Sequence, residues 1–179
     1  ELNEELVHAA ALESRHLPVA VDDALLRFSV TPPRSGALLI RNAPVGDLPP
    51  TPPTPGAPVA KDLSTELTLL TVARRLGQPV GYVPEHGGRI VQNIVPTPGA
   101  ADSQMSTSSR SSLMFHTETA FHPHRPRYLL LLCLRGDPSA HTTLASVHDI
   151  MDRLEDDVVD VMFEPRFRTA VDASFLAGR

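Results

Sequence analysis

His116 and Glu118 stand two positions apart in the stretch LMFHTETAFHPHRPRYLLLLCLRGD, residues 113–137. A neutral imidazole and a carboxylate can occupy adjacent positions on one divalent cation. The spacing serves that purpose only on an extended backbone, where alternate side chains project to the same side and Thr117 points away. On a helix, spacings of three or four bring side chains together and a spacing of two does not. Two histidines and one carboxylate on one face of an octahedron, with the remaining positions open, suit non-haem iron(II) that binds dioxygen and a cosubstrate. An ordinary exposed strand with two polar residues carries the same pattern. Zinc is a further reading, but structural zinc favours thiolates, and the one cysteine, Cys133, lies inside the leucine run, where it reads as a small buried apolar residue.

An extended backbone at His116 requires strands around it. Residues 2–14 have an apolar stripe at Leu2, Leu6, Ala9, Ala10 and Leu12 that predicts an amphipathic helix. PVAVDDALLRFSV holds a second short helix capped near Asp22. SGALLIRNAP reads as a buried strand ending at a turn. Residues 48–58 contain six prolines in eleven positions and form an extended surface loop without ladder hydrogen bonds. KDLSTELTLLTVARRLGQP is the clearest helix. Ser64 or Asp62 caps it, Leu67, Leu70, Val72, Ala73 and Leu76 form its apolar face, and Gly77 with Pro79 stops it.

Beyond residue 80 the pattern changes from helix to strand. GGRIVQNIVP alternates around Ile90, Gln92 and Ile94 and ends in proline. The polar, aperiodic stretch at 97–112 is a loop of a length usually reserved for function or disorder. Extended segments follow at 113–118, 127–135 and 141–146, then a helix over 147–160 and a strand in EPRFRTAV. Helices early and strands late predict an α+β domain, with helices flanking a largely antiparallel sheet or barrel.

Length and composition bound the function. A chain of 179 residues with 41% hydrophobic content buries one core and is expected to be a single domain. The longest apolar run, residues 129–134, is far too short to cross a bilayer, and no charged-then-apolar leader is visible, so a cytoplasmic location is expected. A net charge of -5 with scattered cations argues against a nucleic-acid surface and favours small molecules as partners. The chain starts at Glu1 without methionine and stops at Arg179 without a closing element, as expected of a segment of a longer protein. His122 and His124 are expected in an extended turn forced by Pro123 and Pro126, pointing away from the strand face. His141 and His148 are expected to titrate in solvent. Arg125 and Arg135 are expected to brace the strands through carboxylates such as Asp137.

The string FHTETAFHPHRPRYLLLLCLRGD closely resembles the metal-binding segment of the clavaminate synthase-like iron(II)/2-oxoglutarate oxygenases, a family that includes hydroxylases of arginine, asparagine and lysine. GALLIRNAP with the following LPPTPPTP, RLGQPVGYVPEHGGRIVQNIVP and TTLASVHDIMDRL look like successive landmarks of that family in the same order, so the resemblance spans residues 36–154. It implies a double-stranded β-helix, or jelly roll, buttressed by helices, with the metal at the open end of the barrel. Residues 1–179 would be the N-terminal part of that one domain.

The resemblance also implies roles. His116 and Glu118 would be catalytic iron(II) ligands. Thr143 would hydrogen-bond a carboxylate of 2-oxoglutarate, with Thr142 as its alternative. Ser106 would touch the amino-acid substrate, and Gln92 or His86 would hold its ammonium or carboxylate; the plain alternatives are a loop serine, a solvent-facing strand residue and a turn residue before Gly87. The second oxygen of Glu118 would attract the substrate ammonium. The family's second histidine and its arginine for the far carboxylate of 2-oxoglutarate would follow residue 179. The implied activity is hydroxylation of an unactivated C–H bond, at the β carbon, of a free or carrier-bound L-amino acid such as arginine, using dioxygen and releasing succinate. The alternative is a non-catalytic jelly-roll module that binds a small molecule or a protein and carries an incomplete metal site.

Overall fold

The computed structural model describes residues 2–57 and 62–176. Pro58 of the proline-rich loop and Lys61, at the start of the third helical pattern, lie outside the described residues. Three helices open the chain: α1 (Leu2–Glu13), α2 (Val19–Val30) and α3 (Ser64–Leu76). A 3-10 turn, Ser14–His16, links α1 to α2. Helices α1 and α2 both pack on α3, and Ala10, Leu25 and Leu70 are buried between them. The expected apolar stripe of α1 is therefore used at Ala10, while Leu12 stays 45% exposed.

Helix α2 begins three residues before the expected cap. Pro18 takes the cap position, where its fixed φ and missing N–H cost nothing at a helix start. Asp22 is instead drawn to Arg75 on α3, where its carboxylate takes two guanidinium hydrogen bonds. That guanidinium holds the Asp22 carboxyl below the ordinary carboxylate range, and Asp22 in turn raises Arg75. At the start of α3 the cap position falls to Leu63, without a side-chain cap, rather than to Ser64 or Asp62; Asp62, one residue earlier, accepts the Ser64 N–H at 3.1 Å. Gly77 closes its last turn, donating its N–H to the Ala73 carbonyl at 2.9 Å.

The remainder of the chain is extended or turned. Residues 35–44, 87–96, 113–118, 127–135, 141–146 and 164–171 were expected as strands, yet no strand ladder exists among the described residues. Period-two alternation dictates an extended backbone, but a ladder also requires a neighbour whose N–H and C=O groups face it. Alternation survives as exposure. Leu130, Leu132 and Leu134 are half-buried, while Leu129, Leu131 and Cys133 face outward. Cys133 was expected inside, as part of the leucine run, and lies outside, because an extended backbone turns alternate residues to opposite faces and only one of them is covered. SGALLIRNAP is likewise exposed rather than buried, with Leu39 at 74%.

The helix expected over 147–160 is two short helices, α4 (Val147–Met151) and α5 (Asp156–Met162), and α6 (Ala173–Leu176) follows near the end. Glu155 interrupts the pair in an extended conformation, with φ -69° and ψ 149°. Polar ties hold the extended part to the rest. Arg34 donates to the His148 carbonyl at 2.8 Å and pairs with Asp149 and Asp152. Arg135 does not brace through Asp137. It donates to the Leu48 and Pro49 carbonyls at 3.0 and 2.6 Å and so clasps the proline-rich loop, while Asp137 caps its own turn through Ser139. The Ser139 hydroxyl, with its N–H, lowers the Asp137 carboxyl pKa.

Candidate metal centre

The loop at 97–112 prepares the backbone that carries His116. It is neither open nor loose. Arg110 pairs with Asp102 at 2.7 Å, the Ser108 hydroxyl donates to the Ala101 carbonyl at 2.7 Å, and Arg110 N–H donates to the same carbonyl at 2.9 Å. Gln104 then reaches forward. Its Nε2 donates to the Ser112 carbonyl at 3.0 Å and its Oε1 accepts from the Met114 N–H at 3.1 Å. One amide side chain thus replaces the ladder partner that an extended segment would otherwise need.

Met114 in turn orients His116. The imidazole Nδ1 lies 2.8 Å from the Met114 carbonyl. A carbonyl only accepts, so Nδ1 carries the proton and the neutral ring keeps its lone pair on Nε2. That nitrogen is 4.0 Å from Glu118 Oε2, and the two side chains are 55% and 41% exposed. The extended spacing read from the sequence does bring imidazole and carboxylate to one side. A carbonyl-fixed tautomer with a free Nε2 facing a carboxylate is the arrangement protein metal sites use to aim a histidine. An ion bonded to both at roughly 2.1 Å would draw them about 1 Å closer. The donors therefore fit an imidazole-carboxylate metal site, although no group of three such donors forms among the described residues.

A tight turn follows immediately. Thr119 has φ of 52°, is 4% exposed, and its carbonyl accepts the His122 N–H at 2.9 Å. Tyr82 bears on this turn from the other side. Its hydroxyl donates to the His124 carbonyl at 2.7 Å. Its ring lies 4.7 Å from that of His122 and 5.3 Å from that of Phe175 on α6. Burial raises the Tyr82 phenol pKa, and the charges of Glu85 and Glu118 add to the rise. His122 was expected on the surface and is packed among rings instead, its Nδ1 accepting the His124 N–H at 3.0 Å.

The other expected residues are scattered. Ser106, Gln92 and Thr143 are exposed, as are Thr142, His141 and His148. His86 sits at φ 49° in a 3-10 turn, His86–Gly88. Among the described residues none of these hydrogen-bonds His116 or Glu118. Two surface clefts of about 310 Å³ lie elsewhere, one lined by Pro96, Pro98, Ala101, Ser109 and Arg110, the other by Leu6, Leu63, Leu70, Ile90 and neighbours. Sequence reasoning missed Gln104 and Tyr82. Gln104 is the only side-chain amide in its loop, and Tyr82 is one of two tyrosines in the chain.

No family model matches the chain. Curated proteins do. L-asparagine oxygenase of Streptomyces coelicolor is 41% identical over 144 residues, covering 78% of this chain and 43% of that protein. L-lysine 3-hydroxylase of Catenulispora acidiphila is 37% identical over 94% of this chain and 47% of its own length. Clavaminate synthase 2 of Streptomyces clavuligerus is 34% identical over 97% and 54%. A solved structure of asparagine oxygenase in complex with Fe(II), 2S,3S-3-hydroxyasparagine and succinate superposes with a TM-score of 0.87 at 37% identity, covering 96% of this chain and 55% of that one. This chain belongs to the clavaminate synthase-like oxygenase family. It spans about half the length of the relatives it matches. The non-haem iron oxygenase OrfP, solved with Fe, succinate and (3S)-hydroxy-L-Arg, aligns with a TM-score of 0.76 at 27% identity over 97% of this clavaminate synthase-like chain and 52% of its own.

Proposed function

We propose that this chain provides the N-terminal part of a single jelly-roll domain of an iron(II)- and 2-oxoglutarate-dependent oxygenase. The enzyme hydroxylates a C–H bond, at the β carbon, of a free or carrier-bound L-amino acid such as arginine. The overall balance is amino acid, 2-oxoglutarate and dioxygen to hydroxyamino acid, succinate and carbon dioxide. The observation that carries the reading is the His116–Glu118 pair, with Nε2 of a tautomer fixed by Met114 standing 4.0 Å from a carboxylate oxygen. Relatives named L-asparagine oxygenase, L-lysine 3-hydroxylase and enduracididine beta-hydroxylase support the amino-acid class.

His116 and Glu118 would hold iron(II), which supplies the oxidising chemistry when bound with 2-oxoglutarate. Among this chain's own residues, Met114 keeps the imidazole in the coordinating tautomer, and Gln104 keeps Met114 in place. Thr143 would meet a carboxylate of 2-oxoglutarate, and Glu118, Ser106, Gln92 or His86 would meet the amino acid. A net charge of -5 and the lack of a basic stripe suit a small-molecule partner rather than nucleic acid. No described helix is long and apolar enough to cross a membrane, and the cytoplasm is the compartment we assign.

The test is spectroscopic and chemical. Ferrous iron with 2-oxoglutarate, added without oxygen to the full-length protein, should give a weak visible charge-transfer band. His116→Ala should remove both the band and amino-acid-dependent succinate formation. An unchanged spectrum on adding iron and cosubstrate would leave a non-catalytic binding module.

A further inference from the structure

The loop at 97–112 is wound on a single acceptor. The carbonyl of buried Ala101 takes the Arg110 N–H at 2.9 Å, the Ser111 N–H at 3.2 Å and the Ser108 hydroxyl at 2.7 Å. The Thr97 N–H closes the neck on the Thr107 carbonyl at 3.0 Å, and the Arg110–Asp102 ion pair adds a further tie. Gln104 belongs to this wound segment, and both ends of its amide reach toward the end of the loop, to the Ser112 carbonyl and the Met114 N–H. Gln104 is exposed, so the loop that carries it, rather than packing around its side chain, sets where the amide lies.

From that amide a series of contacts runs to the candidate ligands. Gln104 Oε1 receives the Met114 N–H at 3.1 Å, the Met114 carbonyl faces His116 Nδ1 at 2.8 Å, and His116 Nε2 faces Glu118 Oε2 at 4.0 Å. Turning the backbone at Met114 moves both of its contacts together.

We propose that Gln104 is a positioning residue that couples the winding of the 97–112 loop to the aim of His116, so that loop order and iron binding strengthen each other. The proposal deepens the reading of His116 and Glu118 as metal ligands and rests on it. Such coupling is reciprocal: whatever the ordered loop adds to iron affinity, bound iron adds to the order of the loop. Partners that hold a coordinating histidine from outside commonly change metal affinity about tenfold or more without touching the metal.

The loop carries its own reporter. Arg110 is exposed and is the only lysine or arginine between Arg89 and Arg125, so tryptic cleavage after it reads this loop. The experiment titrates the full-length protein anaerobically with ferrous iron alone, followed by calorimetry and by that cleavage. Imidazole nitrogen chemical shifts of the iron-free protein identify the His116 tautomer. In the parent, iron should slow the cleavage and His116 should carry its proton on Nδ1. Gln104→Leu keeps bulk and removes both amide contacts; it should weaken iron binding about tenfold, mix the tautomers and leave cleavage indifferent to iron. Ser108→Ala removes the hydroxyl used by the Ala101 carbonyl and the Ser111 N–H, and leaves the contacts at 112 and 114 alone. It should speed cleavage and weaken iron binding about threefold in the parent, with no further loss in Gln104→Leu, a pattern that a merely loosened loop would not give. An equal loss in both backgrounds, or none in the parent, would overturn the coupling. Parental affinity and tautomer in Gln104→Leu, while His116→Ala loses iron, would overturn the part of Gln104 alone. Parental affinity in His116→Ala would overturn the ligand reading beneath it.

Discussion

The layer of α1, α2 and α3 and the stretch from 113 to 146 solve the same problem differently. In the helices the backbone N–H groups beyond the first turn find their carbonyls four residues away, so the layer closes within its own sequence and buries Ala10, Leu25 and Leu70. In the extended stretch the backbone cannot satisfy itself; the Gln104 side chain stands in for a ladder neighbour at 112–114, and Arg135 from the stretch in turn serves the carbonyls at 48–49. The site grows where those substitutes are dense. The contrast teaches that stability here is concentrated in the helices, while geometry for chemistry comes from individually placed polar groups.

The largest effect that would test this contrast is at the centre of the helical layer. Leu70→Ala should cost about 2–5 kcal/mol by urea unfolding; a loss under 1 kcal/mol would show that the layer is not the core. Gly81→Ala should cost about 1–3 kcal/mol, because a Cβ there meets backbone rather than a flexible side chain. It should also displace Tyr82, which near-ultraviolet circular dichroism reads.

The Asp22–Arg75 tie predicts a pH signature. Its carboxyl pKa is lowered by folding, so its contribution is present above the ordinary Asp value of 3.8 and lost as pH falls through the folded value. Asp22→Asn should therefore lower the urea midpoint near neutral pH and match the parent in acid. Smallest of all, Leu131→Ser in a chain of these 179 residues should change stability by no more than about 0.5 kcal/mol, since Leu131 is 62% exposed. A loss of several kcal/mol would mean that this face is covered and would erase the difference between the two regions.

The sequence was most informative where structure is local. Helices α1 and α3 follow from apolar spacing and from Asp62 and Gly77, all of which act within a turn or two. The start of α2 was misplaced because Asp22 looked like a cap, while its partner Arg75 lies 53 positions away. The same limit explains the strands: the apolar run at 129–134 was legible as an extended segment, but not which of its faces is covered, hence Cys133. At the site, the His-x-Glu spacing and its extended setting were readable from residue types alone. Gln104 and Tyr82 were not, since each acts through a contact that no periodicity marks.

The clasp between Arg135 and the proline-rich loop has a mechanical consequence. Every proline deletes a donor but keeps its carbonyl, so residues 48–57 carry surplus acceptors that only an outside donor can use. The guanidinium that uses them belongs to the leucine segment, downstream of the putting-together of His116 and Glu118. Any shift of that segment would be transmitted as a tug on the loop, giving a distant observer, such as a fluorophore placed near Thr51, a strain gauge for movement around the ligands.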